Sequence, residues 1–146
     1  MEIIIIFATV AVLIMAVVVF FIVSVLKFLK KLSSLEEYEV GGYKITSITK
    51  VVGKRKVTTF STVTNRNNAN ITKKYTYESK DCANSDIEKY VKYLGKYEDF
   101  SLGEYKENSG KVSNVAVYKL VGIVQITVEM YYDVKGYTIC VSALDN

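Results

Sequence analysis

The chain has 146 residues and a net charge of +4, with 19 Lys and Arg against 15 Asp and Glu. Half of its residues are hydrophobic, which excludes an intrinsically disordered protein. It has no His and only two Cys. These absences exclude Ser-His and Cys-His catalytic pairs, His-ligated metal sites and four-thiolate clusters. We therefore expect no enzymatic activity and no cofactor.

The first feature in chain order is an uncharged segment of 24 residues, from Ile3 to Leu26, in which only Thr9 and Ser24 are polar. As a helix it would measure about 36 Å, which exceeds the roughly 30 Å hydrocarbon core of a bilayer. Both hydroxyls can bond to carbonyls of the same helix, so the segment predicts a transmembrane helix. The alternatives are a buried core helix, for which the segment is long, and a cleaved secretory signal, whose basic start and small-residue cleavage site are missing.

Basic residues follow the uncharged segment at once, at Lys27, Lys30 and Lys31, and none precedes it. The positive-inside rule then predicts a cytoplasmic domain after the helix, with an extracytoplasmic or cell-surface domain as the alternative. At the depth of the headgroups these lysines could also contact anionic lipid.

The segment after the lysines predicts a helical extension beyond the membrane. Four leucines recur at every third position: Leu26, Leu29, Leu32 and Leu35. The extension would end near Glu39, before Gly41-Gly42, as a spacer or as a self-association helix, although four leucines fall short of a coiled coil. We thus expect an anchor with its juxtamembrane extension over residues 1–39 and a globular domain over residues 40–146.

The first part of the globular domain predicts strands. Three segments are rich in β-branched residues: 43–52, 56–64 and 71–77. A turn at residues 53–55 separates the first two, and a polar loop at residues 65–70 precedes the third. In the second segment, alternate residues should share one face of the strand: Val57, Thr59, Ser61 and Val63.

The pattern then changes to a helical period over residues 85–95. Ser85 and Glu88 have the spacing of a capping box, and Gly95 stands where a C-terminal cap is expected. Hydrophobic residues follow at helical spacing: Ile87, Tyr90, Val91, Leu94 and Tyr97. Residues 98–111 are predicted to form an irregular connection.

The last third predicts strands over residues 112–121 and 123–132 and a third strand from Tyr137. Alternate residues of the second strand are apolar, which indicates one buried and one wet face: Val124, Ile126, Val128, Met130 and Tyr132. The turn before Tyr137 ends at Gly136, where a positive φ is expected. The order β-β-β-α-β-β-β predicts an α+β domain, in which one helix packs on the apolar face of a small antiparallel sheet.

Two cysteines are candidates for a cross-link. Cys82 precedes the predicted helix, and Cys140 lies in the last strand on the face opposite its apolar residues. In an extracytoplasmic domain they could form a disulfide, provided that Cys82 reaches a sheet edge, because the Cα atoms must approach to about 7 Å. In the cytoplasm both would be free thiols.

Two further basic features form a candidate interaction patch. The first is the predicted turn, with Lys54, Arg55 and Lys56. The second is a stripe along the predicted helix, with Lys89, Lys92 and Lys96 beside Tyr90, Tyr93 and Tyr97. The patch either contacts anionic lipid or nucleic acid with stacking tyrosines or is an ordinary solvated surface, with Tyr90 and Tyr97 in the core. The modest net charge argues against nucleic acid.

Together these features predict a single-pass membrane protein whose helix tethers a non-enzymatic domain. The domain would bind another protein or act as an accessory subunit of a membrane complex. The alternative is a filament subunit, because the architecture is loosely similar to that of pilins, with a long apolar N-terminal helix, a β-rich head and a Cys near the C-terminus. Such a subunit would self-associate through its helix. The chain departs from the pilin pattern in lacking a basic leader that ends in Gly and a Glu at the fifth residue of the apolar segment.

Overall fold

The computed structural model describes residues 1–65, 70–107 and 113–145. Its elements in chain order are α1 (Glu2–Leu32), β1 (Glu37–Val40), β2 (Tyr43–Thr46), α2 (Ile48–Val52), β3 (Lys56–Asn65), β4 (Asn70–Glu78), α3 (Ala83–Tyr97), β5 (Ser101–Glu107), β6 (Ser113–Val121), β7 (Val124–Tyr132) and β8 (Gly136–Asp145). An apolar N-terminal helix therefore precedes an antiparallel sheet with packed helices, and the predicted α+β class is confirmed.

The main sheet has six antiparallel strands in the order β3-β4-β8-β7-β6-β5. One face holds the core, as in β8, where Tyr137, Ile139 and Val141 are buried. The hairpin of β1 and β2, together with α2 and α3, covers this face. The apolar alternation predicted for β7 is confirmed, because its residues Ile126 and Val128 are buried on this same face. The opposite face of the sheet carries no covering layer from the described residues.

The predicted helical extension to Glu39 is wrong, because α1 ends at Leu32. The hydroxyl of Ser33 donates to the carbonyl oxygen of Leu29 at 2.9 Å and accepts from the backbone N–H of Val57 at 3.0 Å. Ser33 therefore ties the end of α1 to the start of β3. After Ser33 the chain turns away from the direction of α1 and forms the hairpin of β1 and β2, which packs on the sheet.

A hairpin stands where the helix was expected to continue. Gly41 and Gly42 have φ values of +56° and +82° and connect β1 directly to β2. Two consecutive residues with positive φ are what a tight two-residue hairpin requires. The side chains of Tyr38 and Val40 point into the core, so the period of this segment is that of a strand.

The predicted strand over residues 43–52 is also too long. It stops at Thr46, because Ser47 caps the short helix α2 and its side chain accepts from the backbone N–H of Lys50. The hydroxyl of Ser47 also donates to the carbonyl oxygen of Leu35. Strand β3 consequently pairs with β4 and not with β2.

A bulge in β3 overturns the predicted face of that strand. The register of β3 on β4 shifts between Val57 and Thr59. Val57 is therefore buried against the core, whereas Thr59, Ser61 and Val63 lie on the other side and are exposed. One extra residue in a strand moves every later side chain to the opposite face. Phe60 takes the inward position instead.

Helix α3 is longer at both ends than the predicted 85–95. Its N-cap is Cys82, without a side-chain hydrogen bond, so Ser85 lies inside the helix and the expected capping box is not formed. Glu88 instead accepts a hydrogen bond from Lys92 at 2.9 Å. The helix passes through Gly95 and ends at Tyr97, so Gly95 is an interior residue.

Gly95→Ala should raise the free energy of unfolding by about 0.5–1 kcal/mol, because an interior helical glycine costs backbone entropy. A Cβ at this position would meet only the carbonyl oxygen of Phe100, at an ordinary 3.6 Å. Urea unfolding of the full chain in detergent micelles, followed by circular dichroism, measures the change. Gly53→Ala is the opposite case, since φ is +89° there, and it should destabilise. A destabilising Gly95→Ala would contradict an interior position for this glycine.

Residues 98–111 were expected to be irregular, but β5 occupies Ser101–Glu107 and pairs with β6 as the edge of the sheet. Gly103 belongs to β5 and lies close to the backbone of β6, since a Cβ there would approach the carbonyl oxygen of Ala116 to 3.0 Å. The rest of the predicted connection, residues 108–111, lies outside the described residues. Most of the predicted polar loop over residues 65–70 also lies outside them, at residues 66–69.

The turn before β8 forms where it was predicted, but its glycine has a different role. The carboxylate of Asp133 accepts from the backbone N–H groups of Lys135 and Gly136 at 2.7 and 3.1 Å. The φ of Gly136 is not positive. Its backbone instead passes so close to β4 that a Cβ would lie 2.1 Å from the carbonyl oxygen of Tyr77. A close approach of two strands therefore requires glycine here.

Candidate functional site

Among the described residues, α1 is the one helix that is long and apolar enough to span a membrane. Its apolar stretch, Ile3–Leu32, has a mean hydropathy of 3.3 in its most apolar window, and none of that window is buried. The hydroxyls of Thr9 and Ser24 donate to the carbonyl oxygens of Ile5 and Phe20, as predicted. The helix thus offers its surroundings a continuous apolar surface, which water does not stabilise.

The end of α1 is built into the core of the domain. Leu32 is 8% exposed and belongs to the main hydrophobic cluster. Phe28 packs edge-on against Phe60 of β3, with ring centroids 5.7 Å apart. Since β3 contacts Ser33 at Val57 and Phe28 at Phe60, the strand runs back along the helix toward its N-terminus.

Aromatic rings continue this contact into the core. Phe60 packs on Tyr75 and Tyr75 packs on Tyr38, with centroid distances of 5.0 and 4.7 Å. The hydroxyls of Tyr38 and Tyr77 share a buried hydrogen bond of 2.8 Å. Burial raises the pKa of Tyr75 to about 12, so this phenol stays neutral at physiological pH. The chain of rings fixes the helix end to the sheet.

A cleft of about 530 Å³ separates the last turns of α1 from the start of β3. Its apolar floor comes from Leu26, Leu29 and Val57. Three lysines stand at its rim: Lys30, Lys54 and Lys56. The structure therefore brings one residue of the predicted membrane flank together with two residues of the predicted turn. Lys27 and Lys31 are exposed on the same turns of α1 but do not line the cleft.

The rim of the cleft is poorly neutralised. Lys56 pairs with Glu78 at 3.1 Å, and the hydrogen bond from Lys56 lowers the pKa of that carboxyl. Both side chains of the pair are solvated, so their attraction is weak. Neither Lys30 nor Lys54 forms an ion pair with a residue that the structure describes. The cleft consequently has an excess of positive charge over an apolar floor.

Arg55 does not belong to the exposed patch in which the sequence placed it. Its guanidinium donates to both oxygens of Asp86, from Nε at 2.8 Å and from Nη2 at 2.9 Å. Asp86 is 2% exposed and also accepts from the hydroxyls of Ser79 and Tyr137 at 2.8 and 3.1 Å. Burial alone would raise the pKa of Asp86, but the hydrogen bonds from Arg55 and Ser79 outweigh it and hold the pKa below its usual value. Arg55 is therefore a structural residue.

The lysine stripe on α3 is exposed and lies apart from the cleft. Lys92 pairs with Glu88 at 2.9 Å, and the ammonium of Lys96 lies 5.0 Å from the ring centroid of Tyr97. Lys89 is exposed and forms no ion pair with a described residue. These lysines show the contacts of an ordinary solvated helix face.

The tyrosines beside this stripe divide between core and surface. Tyr90 is fully buried, and its hydroxyl donates to the carbonyl oxygen of Thr46 at 2.7 Å, so its predicted core position is confirmed. Tyr97 is 62% exposed and packs on Tyr93, with centroids 4.9 Å apart. The core position expected for Tyr97 is wrong, because its side chain is on the exposed side of the last turn of α3, whereas Leu94 in the same turn is buried.

Both cysteines are free thiols in the structure. Cys82 is exposed at the N-cap of α3, on the covered side of the sheet. Cys140 lies opposite Lys74 in β4 and Glu129 in β7, on the face of the sheet that has no covering layer. Its thiol is still partly buried there, and this burial raises its pKa. The Cys82–Cys140 disulfide considered for an extracytoplasmic domain is not formed, because the sheet lies between the two side chains.

Sequence reasoning found the lysines of the cleft but not their neighbours. Leu29 was noted only for its helical spacing, and Val57 was expected to share a face with Thr59, from which the bulge in β3 separates it. In the part of the chain that the structure describes, no group of three or more Cys, Asp or Glu side chains could hold a metal ion. Comparisons of the chain with protein-family models, with curated proteins and with solved structures found no match.

Proposed function

We propose that the chain is a single-pass membrane protein in which α1 anchors a non-enzymatic α+β domain at the membrane surface. The domain binds another protein there or serves as an accessory subunit of a membrane complex. The observation that carries this proposal is the joint between helix and domain, where Leu32 and Ser33 of the helix end belong to the core of the domain.

The joint argues for retention of α1 against its removal as a secretory signal. Cleavage after Leu26 would leave Phe28, Leu32 and Ser33 in the chain but remove the helical turns that precede them. These turns hold Phe28 against Phe60, Leu32 in the hydrophobic cluster and Ser33 on the backbone N–H of Val57. A domain that uses the end of its N-terminal helix in this way is stabilised by keeping that helix.

For the orientation we propose a cytoplasmic domain. Lys27, Lys30 and Lys31 are all exposed directly after the apolar segment, as the positive-inside rule requires of a cytoplasmic flank.

Labelling with a membrane-impermeant maleimide tests both parts of the proposal. Cys82 is exposed and is the better target, because burial of Cys140 raises the pKa of its thiol and disfavours the reactive thiolate. With the Cys140→Ser variant in intact cells, we expect labelling only after lysis and without any reductant. The full chain should remain in the membrane after alkaline extraction, and peptides of α1 should be present in the mature protein.

Each failure has its own meaning. Labelling of Cys82 in intact cells would place the domain outside and overturn the orientation while leaving the anchor in place. A shortened chain that lacks α1 would overturn the anchor itself. The Cys82→Ser variant controls for labelling at Cys140. Fibres that sediment from the culture supernatant would replace the proposal with the pilin-type filament.

A further inference from the structure

The cleft between α1 and β3 combines an apolar floor with a basic rim. We propose that it binds an anionic phospholipid of the surrounding bilayer, with the phosphate at Lys30, Lys54 and Lys56 and an acyl chain against Leu26 and Leu29. This inference rests on the proposed membrane anchor and names the ligand of the membrane-facing part of the domain.

The cleft lies at the right depth for a lipid headgroup. Leu26 is the last residue of the uncharged segment, so it marks the edge of the hydrocarbon core. Lys30 follows by one helical turn, which is about 6 Å along the axis. The headgroup layer on each side of a bilayer is about 5–7 Å thick. The ammonium group on Lys30 therefore reaches the level of the lipid phosphates.

The polarity of the cleft matches that of a lipid. Leu26 and Leu29 lie on the side toward the apolar segment, whereas Lys54 and Lys56 precede or begin β3 and lie beyond the helix end at Ser33. Strand β3 runs back along α1, so the apolar end of the cleft lies nearer the membrane and its basic end lies farther out. A neighbouring lipid has the same order, with its acyl chain inside and its phosphate outside.

The size and openness of the cleft fit a chain-bearing ligand. Its volume of about 530 Å³ is within the range of small-molecule sites. Leu26 on its floor is 60% exposed, so the apolar floor continues onto the open surface of α1. An acyl chain can therefore lie in the cleft and extend along the helix into the bilayer.

The charge of the rim selects an anionic lipid over a zwitterionic one. Lys30 and Lys54 form no ion pair with the described residues, and Lys56 has only its solvated contact to Glu78. Arg55 does not contribute, because Asp86 binds its guanidinium. The choline group of phosphatidylcholine carries a positive charge, which these lysines repel. Phosphatidylglycerol has a net negative charge, which they attract.

The absence of tryptophan from the chain provides a clean reporter. Thr58 is exposed and lines the cleft, so Thr58→Trp introduces one fluorophore there. The variant is reconstituted as the full chain into phosphatidylcholine nanodiscs. Equal mole fractions of dibrominated phosphatidylglycerol or dibrominated phosphatidylcholine then serve as contact quenchers. We expect roughly five- to tenfold less of the anionic lipid to be needed for half-maximal quenching.

Two charge-matched triple variants in the Thr58→Trp background test the assignment. Lys30→Gln, Lys54→Gln and Lys56→Gln together should reduce the preference to less than about twofold. Lys89→Gln, Lys92→Gln and Lys96→Gln remove the same charge from α3 and should leave it unchanged. Equal quenching by the two lipids, or equal losses in the two triple variants, would overturn the proposal.

The failure of the lipid site and the failure of the anchor give different results. Without membrane insertion, neither brominated lipid quenches Thr58→Trp, and the chain does not float with the nanodisc lipids. With insertion but no lipid site, the chain floats and both lipids quench equally. Val134→Trp lies at the exposed turn between β7 and β8, which are three and two strands away from β3 in the sheet, and is the control reporter that no bilayer lipid should quench.

Discussion

Asp86→Ala is expected to lower the free energy of unfolding by about 3 kcal/mol, which is the lower end of the range for breaking a buried ion pair. Asp86 joins α3 to Arg55 just before β3, to Ser79 just after β4 and to Tyr137 in β8. Its removal leaves a guanidinium and two hydroxyls without their acceptor. The side chain of Arg55 retains 25% exposure, so water relieves part of the cost.

Thermal unfolding of the full chain in micelles, followed by near-ultraviolet circular dichroism of the tyrosines, measures this loss. We expect the Tm to fall by roughly 12 °C or more. Glu88→Ala is the matched control on the same helix, because it breaks an exposed pair with Lys92 and should change the Tm little. Similar Tm values for the two variants would show that the Asp86 network contributes no more than a surface pair.

The contribution of Asp86 also depends on pH. Because the pKa of Asp86 is lower in the folded chain than in the unfolded one, its stabilisation is complete above the unfolded value, near pH 4. The stabilisation is lost as the pH falls through the folded value. The stability difference between the wild type and Asp86→Asn should therefore be constant around neutral pH and shrink below about pH 4. A difference that grows on acidification would contradict the direction of this shift.

Gly136→Ala is the other substitution with a large expected effect, about 3 kcal/mol or more, because it overpacks two paired strands. The new Cβ would lie 2.1 Å from the carbonyl oxygen of Tyr77 and 3.2 Å from its carbonyl carbon. Both atoms belong to the backbone of β4, so no side-chain rotation can relieve the contact. The strands β4 and β8 must separate where Tyr77 pairs with Tyr137.

Gly122→Ala separates this steric effect from the ordinary cost of replacing glycine. Gly122 has a φ of +63° and open space around its Cβ position, so alanine should cost about 1–2 kcal/mol from backbone strain alone. Urea midpoints of both variants in micelles give the comparison. Poor recovery of folded Gly136→Ala would agree with the clash, whereas a midpoint above that of Gly122→Ala would contradict it.

The sequence pattern alone predicted those helices and strands whose hydrophobic period extends over many consecutive residues. The uncharged segment predicted α1. The alternation in β7 predicted the burial of Ile126, Val128 and Met130, but not that of Thr127 on the opposite face. In both cases the period extends over many residues, so no single contact elsewhere in the chain can reverse it. The α+β class follows from these elements together with α3.

The boundaries that were mispredicted depend on distant residues. The spacing of Leu32 and Leu35 suited a longer helix, but the side chain of Ser47 binds the carbonyl oxygen of Leu35 only in the folded chain. The bulge after Val57 has no local signal, and one residue was enough to reverse the predicted face. The role of Gly136 depends on the carbonyl group of Tyr77, far away in the sequence.

The candidate site was predictable only in part, for the same reason. The sequence showed two separate basic clusters, but not that Lys30 would lie with Lys54 and Lys56 over one apolar floor. Arg55 could not be told from its lysine neighbours, because its partner Asp86 lies on another element. Charge is visible in a sequence, whereas its neutralisation depends on the fold.

The packing of Phe28 on Phe60 and of Phe60 on Tyr75 holds the end of α1 against the sheet. In a bilayer, the helix and the domain would therefore tilt together as one unit. A helix responds to a thinner bilayer by inclining, and the sheet would incline with it. Under the proposed anchoring, membrane thickness would thus set the angle between the uncovered face of the sheet and the bilayer.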